Sequence, residues 1–148
     1  MTTNLDKLLG WYANLTPESV QRVREFYAPD ARFRDPFNDV CGAEAIEQIF
    51  DHMFEVTENP RFIIKDRMSQ DDQGFATWLF DFDLRGKHYT VEGSSHIWFG
   101  PDGLVTVHRD YWDAAEELFE KLPLIGKLVH FLRGKFSASS QGKPRPMD

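Results

Sequence analysis

The sequence predicts an α+β fold in which helices come first and a run of antiparallel strands follows. Apolar residues recur at helical spacing over the first 54 residues. After Pro60 the pattern changes to alternation with a period of two, which continues to residue 112. Short turns that contain glycine separate the alternating segments, so the strands are expected to form an antiparallel meander without crossover helices.

Three helices are expected before the strands. The first covers residues 4–14 and has an apolar face of Leu5, Leu8, Leu9 and Tyr12. Thr16 is a good N-cap and Pro17 suits the first helical position, so a second helix begins there. Pro29 ends this helix, whose apolar face is Val20, Val23 and Tyr27.

The third helix follows Gly42 and carries an apolar stripe of Ile46, Ile49, Phe50, Met53 and Phe54. Before it, residues 31–35 are expected to be extended, because a residue that precedes proline avoids the helical region. The four strands of the meander are expected at residues 61–68, 75–85, 88–99 and 104–112. Residues 85–87 and 100–103 form the turns between the last three strands.

Composition limits the classes of function. With 148 residues the chain is expected to form one domain over residues 1–136, followed by a flexible tail at 137–148. The 13 Phe, 4 Trp and 4 Tyr suit both a core and a small-molecule pocket. A net charge of -7 argues against binding of nucleic acid. Cys41 is the single cysteine, and no segment reads as a signal peptide or a membrane span, so a cytoplasmic location is expected.

The last expected strand contains the strongest candidate for a chemical site. Alternation places His108, Asp110 and Trp112 on one face of this strand. A histidine and a carboxylate two residues apart can share a proton, and a tryptophan beside them can exclude water. Alternation alone does not show which face is buried, because the opposite face carries Val105, Val107 and Tyr111. In the alternative interpretation, Asp110 only pairs with Arg109 or Arg34 and holds the strand.

Three motifs carry a resemblance to a known family: residues 26–36 with the pair Asp35-Pro36, residues 42–46, and residues 103–113 around Asp110. Over residues 4–122 the chain resembles the nuclear transport factor 2-like superfamily. It is most similar to the SnoaL-like branch of polyketide cyclases, ketosteroid isomerase and limonene epoxide hydrolase. The resemblance implies a cone-shaped barrel of a curved antiparallel sheet that wraps the N-terminal helices and encloses one apolar pocket.

The resemblance also suggests roles for individual residues. Asp35 stands where ketosteroid isomerase has its general base, and Asp110 matches the acid/base aspartate of SnoaL cyclases. Trp11 and Ser95 stand where the isomerase has its oxyanion-binding tyrosine and aspartate, so that oxyanion site is absent or rebuilt. The epoxide hydrolase has an Arg-x-Asp pair on its second strand, where this chain has residues 78–80, so that triad is incomplete.

These observations predict a cofactor-independent acid/base enzyme that acts on a small apolar molecule with a carbonyl group. The expected catalytic residues are Asp110, His108 and Asp35, although Asp35 could instead cap a turn. The expected ligand-binding residues are Trp11, Phe37, Phe80, Ser95, Ile97 and Trp112. A metal site lacks the necessary ligand spacing, and neither a metal nor a cofactor is expected. A ligand-binding protein without chemistry, and a hydrolase, remain the alternatives.

Two further expectations concern surfaces. The apolar face of the last two strands, with Val105, Val107, Tyr111, His96 and Trp98, is expected to form a homodimer through the sheet. Residues 114–122 are expected to be helical, and the basic amphipathic segment 124–136 to cover the pocket mouth or a partner subunit. An anionic membrane surface is the alternative partner for segment 124–136.

Overall fold

A computed structural model describes residues 2–113 and confirms the α+β class. The elements, in chain order, are α1 (Asn4–Ala13), a 3₁₀ helix (Ser19–Glu25), β1 (Tyr27–Arg34), β2 (Asp39–Cys41), α2 (Ala43–Val56), β3 (Glu58–Gln70), β4 (Gln73–Leu84), β5 (Lys87–Phe99) and β6 (Val105–Tyr111). The expected helix at 114–122, the segment 124–136 and the tail lie outside the described residues.

The strands form one six-stranded mixed sheet in the order β2-β1-β6-β5-β4-β3. Strands β3 to β6 pair with their neighbours in antiparallel fashion, which confirms the expected meander. Strand β1, in contrast, runs parallel to β6. The connection from β1 to the meander passes through α2, and such a crossover permits parallel pairing where a short hairpin does not. Within residues 2–113 the expected barrel of a curved antiparallel sheet is therefore corrected to an open mixed sheet with β2 and β3 at its edges.

The second expected helix is shorter than its pattern indicates. It is a 3₁₀ helix, and Tyr27 already belongs to β1. Thr16 does act at its start, because the hydroxyl groups of Thr16 and Ser19 each accept a hydrogen bond from the other residue's backbone amide. Pro29 is tolerated within β1 because the pairing with β6 shifts register between Tyr27 and Arg32, so the missing N–H costs no regular ladder bond.

The core lies between the helices and the inner face of the sheet. Helix α1 begins with a capping box in which Thr3 and Asp6 bond each other's backbone amides. Its buried residues meet those of α2 and of the strands, as in the fully buried set Leu8, Ile46 and Ile97. This packing closes off the inner face of β6, where the site lies.

A register shift between β5 and β6 decides which way Val105 faces. Trp98 pairs with Val107, but Phe99 pairs with Val105, so one residue of β6 is left out of the alternation. Val105 is consequently buried in the core rather than on the outer face where the alternation had placed it.

Glycine at position 93 allows a large side chain to lie flat on β5. Gly93 pairs with Trp78 of β4, and a Cβ atom at Gly93 would lie 2.4 Å from Cη2 of the Trp78 indole. No real Cβ contact is that short, so the indole position depends on the absence of a side chain at residue 93.

We therefore expect Gly93→Ala to destabilise the protein by about 1–3 kcal/mol, because the methyl group overpacks the indole. Gly10→Ala is the matched control: no atom lies within 4 Å of the added Cβ, and the position is inside α1. That variant should gain about 0.5–1 kcal/mol from helix propensity. Urea denaturation of both variants measures the difference, and equal effects of the two changes would contradict the described packing.

Candidate functional site

Strand β6 presents His108 and Asp110 on the inner face of the sheet. His108 is 2% exposed, whereas Tyr111, on the outer face, is 47% exposed. Trp112 lies just after the end of β6 and packs edge-on against Phe37, with ring centroids 5.2 Å apart. The face on which the sequence placed the candidate pair is therefore the one that faces the core.

Oxygen Oδ1 of Asp110 accepts hydrogen bonds from two sides. Nε2 of His108 lies 2.6 Å from this oxygen, and the Ser95 hydroxyl donates to it at 2.5 Å. Ser95 is the cross-strand partner of Asp110 on β5. The indole N–H of Trp78 donates to the Ser95 oxygen at 2.9 Å, and this bond extends the network to β4.

Two buried tyrosines continue the network beyond His108. The hydroxyl of Tyr27 lies 2.7 Å from Nδ1 of His108, and it is hydrogen-bonded to the hydroxyl of Tyr12. Tyr12 itself is 3.5 Å from Nδ1. Burial raises the pKa of both tyrosines well above the usual value, and the negative charge of Asp110 acts in the same direction. Both hydroxyl groups therefore keep their protons at neutral pH.

Asp110 separates an enclosed cavity from an open groove. The cavity, of about 20 Å³, is the size of one water molecule. Its lining combines apolar and polar side chains: Leu9, Tyr12, Phe62, Ile64, Trp78, Ser95, Ile97, His108 and Asp110. The groove on the other side is lined by Arg34, Asp35, Pro36, Arg109, Asp110, Tyr111, Trp112 and Asp113.

The two oxygens of Asp110 differ. Within residues 2–113 all its hydrogen bonds fall on Oδ1, which leaves Oδ2 without a donor. The side chain of Asp110 is 16% exposed, so the carboxylate reaches the surface of the groove although its partners are buried. A carboxylate that is fixed through one oxygen and open at the other can accept a proton from a bound molecule.

Asp35 lines the same groove but is engaged in a turn. Its Oδ1 accepts the backbone amides of Phe37 and Asn38 at 2.8 and 2.6 Å, and the Asn38 side chain reaches both oxygens at 3.1 Å. Burial raises the pKa of Asp35 to about 6; the bonds from Asn38 and Phe37 oppose this shift, and the charge of Asp110 adds to it. Asp35 is thus both a turn residue and a group that titrates near neutral pH.

The expected apolar walls lie in different places. Phe37, Phe80 and Trp112 pack around one cluster with Trp78 and Phe82. Ile97 and Ser95 line the enclosed cavity. Trp11 faces elsewhere: it stacks on Phe26, donates from its indole N–H to the carbonyl of Ser19, and lines a separate surface groove. Five of the six expected residues thus surround Asp110 or the adjoining cluster.

Sequence reasoning missed three members of the network. Tyr12 and Tyr27 were assigned to apolar helix faces, and Trp78 was noted only as replacing a charged pair. A tyrosine of α1 does reach the site, one residue beyond Trp11. The available signal was chemical: a buried tyrosine or tryptophan needs a partner for its polar atom, and the buried face of β6 offers one in His108.

No group of three or more His, Cys, Asp or Glu side chains within residues 2–113 is arranged to hold a metal ion. The same part of the chain contains no helix that is long and apolar enough to cross a membrane.

Comparison with known proteins identifies the family. The model of the SnoaL-like domain matches residues 8–108. The chain belongs to the SnoaL-like family. This result confirms the resemblance that the sequence motifs indicated, and the SnoaL-like fold accounts for the arrangement of α1, α2 and the sheet. No curated protein matches the sequence.

Several solved structures share the SnoaL-like fold of this chain. TerC, crystallised with polyporic acid, is 20% identical with a TM-score of 0.68, and the match covers 80% of this chain and 96% of TerC. A protein of Catenulispora acidiphila with a ketosteroid isomerase-like fold, in complex with trimethylamine, is 16% identical with a TM-score of 0.65. The match covers 77% of this chain and 88% of that protein. An LEH-like epoxide hydrolase of M. tuberculosis is 15% identical with a TM-score of 0.66, and the match covers 87% of this chain and 92% of the hydrolase. At these identities the similarity shows the fold alone.

The raised pKa of Asp35 predicts a pH-dependent effect of Asp35→Asn. Between the unfolded value of 3.8 and the folded value of about 6, the native state binds more protons than the unfolded state, so stability falls as pH rises through this range. The variant should lack this loss. The difference in free energy of unfolding, variant minus wild type, should therefore be about 1–3 kcal/mol larger at pH 8 than at pH 4. Urea denaturation at both pH values measures it, and a difference that does not change with pH would contradict the assignment.

Proposed function

We propose that the protein is a cofactor-independent acid/base enzyme that removes a proton next to the carbonyl group of a small, mostly apolar molecule. The observation that carries this proposal is the asymmetry of Asp110. Oδ1 is held by Ser95 and His108, Oδ2 has no donor within residues 2–113, and Asp110 lines a groove. This arrangement fixes the direction in which the carboxylate can accept a proton.

The proposed step is a proton transfer from a carbon atom of the substrate to Asp110. The C–H bond next to the carbonyl breaks, its proton passes to Oδ2 of Asp110, and the electron pair moves onto the carbonyl oxygen as an enolate. Asp110 can then return the proton to another carbon, which completes an isomerisation. An aldol closure or a dehydration would begin with the same step. Asp35 lines the groove, and burial raises its pKa to about 6, so its protonated form is the proposed donor to the enolate oxygen.

The proposed binding surface is the groove together with the aromatic residues beside it. Phe37 and Trp112 pack on each other at 5.2 Å, and Phe80 stacks on Phe62 and Phe82 at 4.8 and 5.2 Å. These rings supply apolar contact area and lower the local dielectric around Asp110. The cone-shaped single pocket expected from the resemblance belongs to this proposal, with the groove as its entrance.

A hydrolase is the second candidate, and the enclosed cavity favours it. A cavity of about 20 Å³ admits one water molecule and no larger ligand. Tyr12, Ser95 and Asp110 line it, and together they offer such a water several polar partners. In this candidate a water from the cavity would move to the groove side of Asp110 and give up a proton to the carboxylate, and its oxygen would attack an electrophilic substrate held in the groove. In this case Asp110 acts on water rather than on a C–H bond.

Hydrogen–deuterium exchange distinguishes the candidates without a known substrate. The protein would be incubated in D₂O with a panel of small apolar ketones, enones and epoxides, and the products analysed by mass spectrometry. Deuterium next to a carbonyl supports proton abstraction, and an added water molecule in the epoxide product supports the hydrolase. Retention of a compound without either change would indicate a binding protein instead.

Asp110→Asn is expected to keep the fold and to lose the reaction, because the amide cannot accept the substrate proton while its oxygen can still bond Ser95. The expected loss is about 100-fold or more. Asp71→Asn, in the turn after β3, is the control, since the residue is exposed and asparagine tolerates its positive φ of 56°. An unchanged rate in Asp110→Asn would refute the assignment.

We also propose that the protein is a homodimer through the outer face of the sheet. Met68, Phe75 and Tyr111 are exposed on this face, at 71%, 44% and 47%. Met68 pairs with Phe75, and Phe75 with His96, so the set spans adjacent strands. His96 stacks between Phe75 and Trp98, with ring centroids 4.0 and 3.6 Å away. Exposed apolar groups on one sheet face, with Arg109 lying over the Tyr111 ring at 4.6 Å, are typical of a protein interface.

Tyr111→Glu should convert the dimer to a monomer, because a carboxylate buried in the interface loses its hydration. Gln21→Glu adds the same charge on the exposed 3₁₀ helix, away from the sheet, and should leave the dimer intact. Sedimentation velocity at micromolar concentration measures both. A wild type that already sediments as a monomer would refute the interface.

A further inference from the structure

Trp78 determines which group donates and which accepts in the hydrogen-bond network around Asp110. An indole N–H can only donate a hydrogen bond, so the Ser95 oxygen is the acceptor of Trp78. The single hydroxyl proton of Ser95 then points to Oδ1 of Asp110, 2.5 Å away. Gly93 supports this arrangement because only a residue without Cβ lets the indole lie flat at that place. The direction of the first two bonds therefore follows from chemistry and packing.

His108 continues the same direction. Its Nε2 lies 2.6 Å from the oxygen that already accepts the Ser95 proton, so Nε2 is the donor and Oδ1 of Asp110 the acceptor. In a neutral imidazole the other nitrogen, Nδ1, is then an acceptor. The hydroxyl of Tyr27, at 2.7 Å, is the donor that Nδ1 requires.

The tyrosines argue against the opposite direction. If Nδ1 donated to Tyr27, then Tyr27 would donate to Tyr12, and the proton of Tyr12 would need a further acceptor. Within the described residues Tyr12 has hydrogen-bond contacts only with Tyr27 and with Nδ1 of His108. Within the described residues its proton would thus have no side-chain or backbone acceptor, and only a water in the small cavity that Tyr12 lines would be left to take it. Donation from Tyr12 to Tyr27 and from Tyr27 to His108 satisfies every proton in the chain.

We infer that Tyr27 is a positioning residue that holds His108 in the Nε2–H tautomer, so that the one imidazole proton is on Nε2 and is donated to Oδ1 of Asp110. The inference rests on the proposed role of Asp110 and assigns His108 a narrower role than a general acid. His108 is 2% exposed and is surrounded by the rings of Tyr12, Tyr27 and Phe33, at 5.8, 5.9 and 4.8 Å. It acts on the substrate only by fixing the Asp110 carboxylate through Oδ1, which leaves Oδ2 for the proposed proton transfer.

Nitrogen NMR of the ¹⁵N-histidine-labelled protein tests the inference without a substrate. Long-range ¹H–¹⁵N spectra distinguish a protonated from an unprotonated ring nitrogen. The expected result for His108 at neutral pH is a proton on Nε2 and a hydrogen-bonded, unprotonated Nδ1. A proton on Nδ1, alone or together with Nε2, would overturn the inference.

The variant Tyr27→Phe tests the role of the hydroxyl itself. Its Nδ1 resonance should move to the position of an acceptor nitrogen that has lost its hydrogen bond, and the Nδ1–H tautomer should become populated. Tyr89→Phe is the matched control, because Tyr89 packs against Phe82 in the second apolar cluster, outside the network. A Tyr27→Phe spectrum identical to that of Tyr89→Phe would contradict the role of Tyr27.

Two outcomes separate this inference from the proposed function. If the Tyr27→Phe protein does not fold, the wild-type spectrum alone decides, since it reports the tautomer directly. An Nε2–H tautomer in a protein that catalyses no exchange would refute the enzymatic proposal and leave the tautomer assignment standing. An Nδ1–H tautomer in an active protein would refute the positioning role and leave the reaction standing.

Discussion

The hydrogen bond from the Trp78 indole to Ser95 is the constraint on which the site depends. Because an indole N–H cannot accept, it determines where the Ser95 proton points, and through Ser95 it determines how Asp110 is held. Once this first hydrogen bond is fixed, donor and acceptor are assigned in each later hydrogen bond of the network. In a buried network an unsatisfied donor costs more than a satisfied one contributes, so this constraint extends from β4 to the tyrosines.

The fold brings these residues together from distant parts of the chain. The antiparallel ladder places Ser95 opposite Asp110, and the parallel pairing of β1 with β6 brings Tyr27 close to His108. Helix α1 adds Tyr12 from above the sheet. The mixed topology is therefore functional in the proposed account, because a strand next to β6 is needed to carry Tyr27.

The sequence was informative where a short pattern decides the structure. Alternation in residues 104–112 placed His108 and Asp110 on one face, and turn residues gave the strand order of the meander correctly. The sequence was misleading where pairing between distant segments determines the structure. Tyr27 fits a helical face by spacing, yet its place is in β1 because β6 offers it a partner strand. Likewise Val105 faces the core because of a register shift that alternation cannot reveal. The sequence does not predict the roles of Tyr12 and Trp78 in the network, because their partners become neighbours only in the folded chain.

The central claim is that Oδ2 of Asp110 is the atom that receives the substrate proton. A crystal structure with the panel compound that exchanges fastest tests it most directly. The account predicts that the exchanging carbon lies about 3–3.5 Å from Oδ2, with the Oδ1 contacts to Ser95 and His108 unchanged. A compound bound with that carbon against another group, or with Oδ2 turned away from it, would contradict the account.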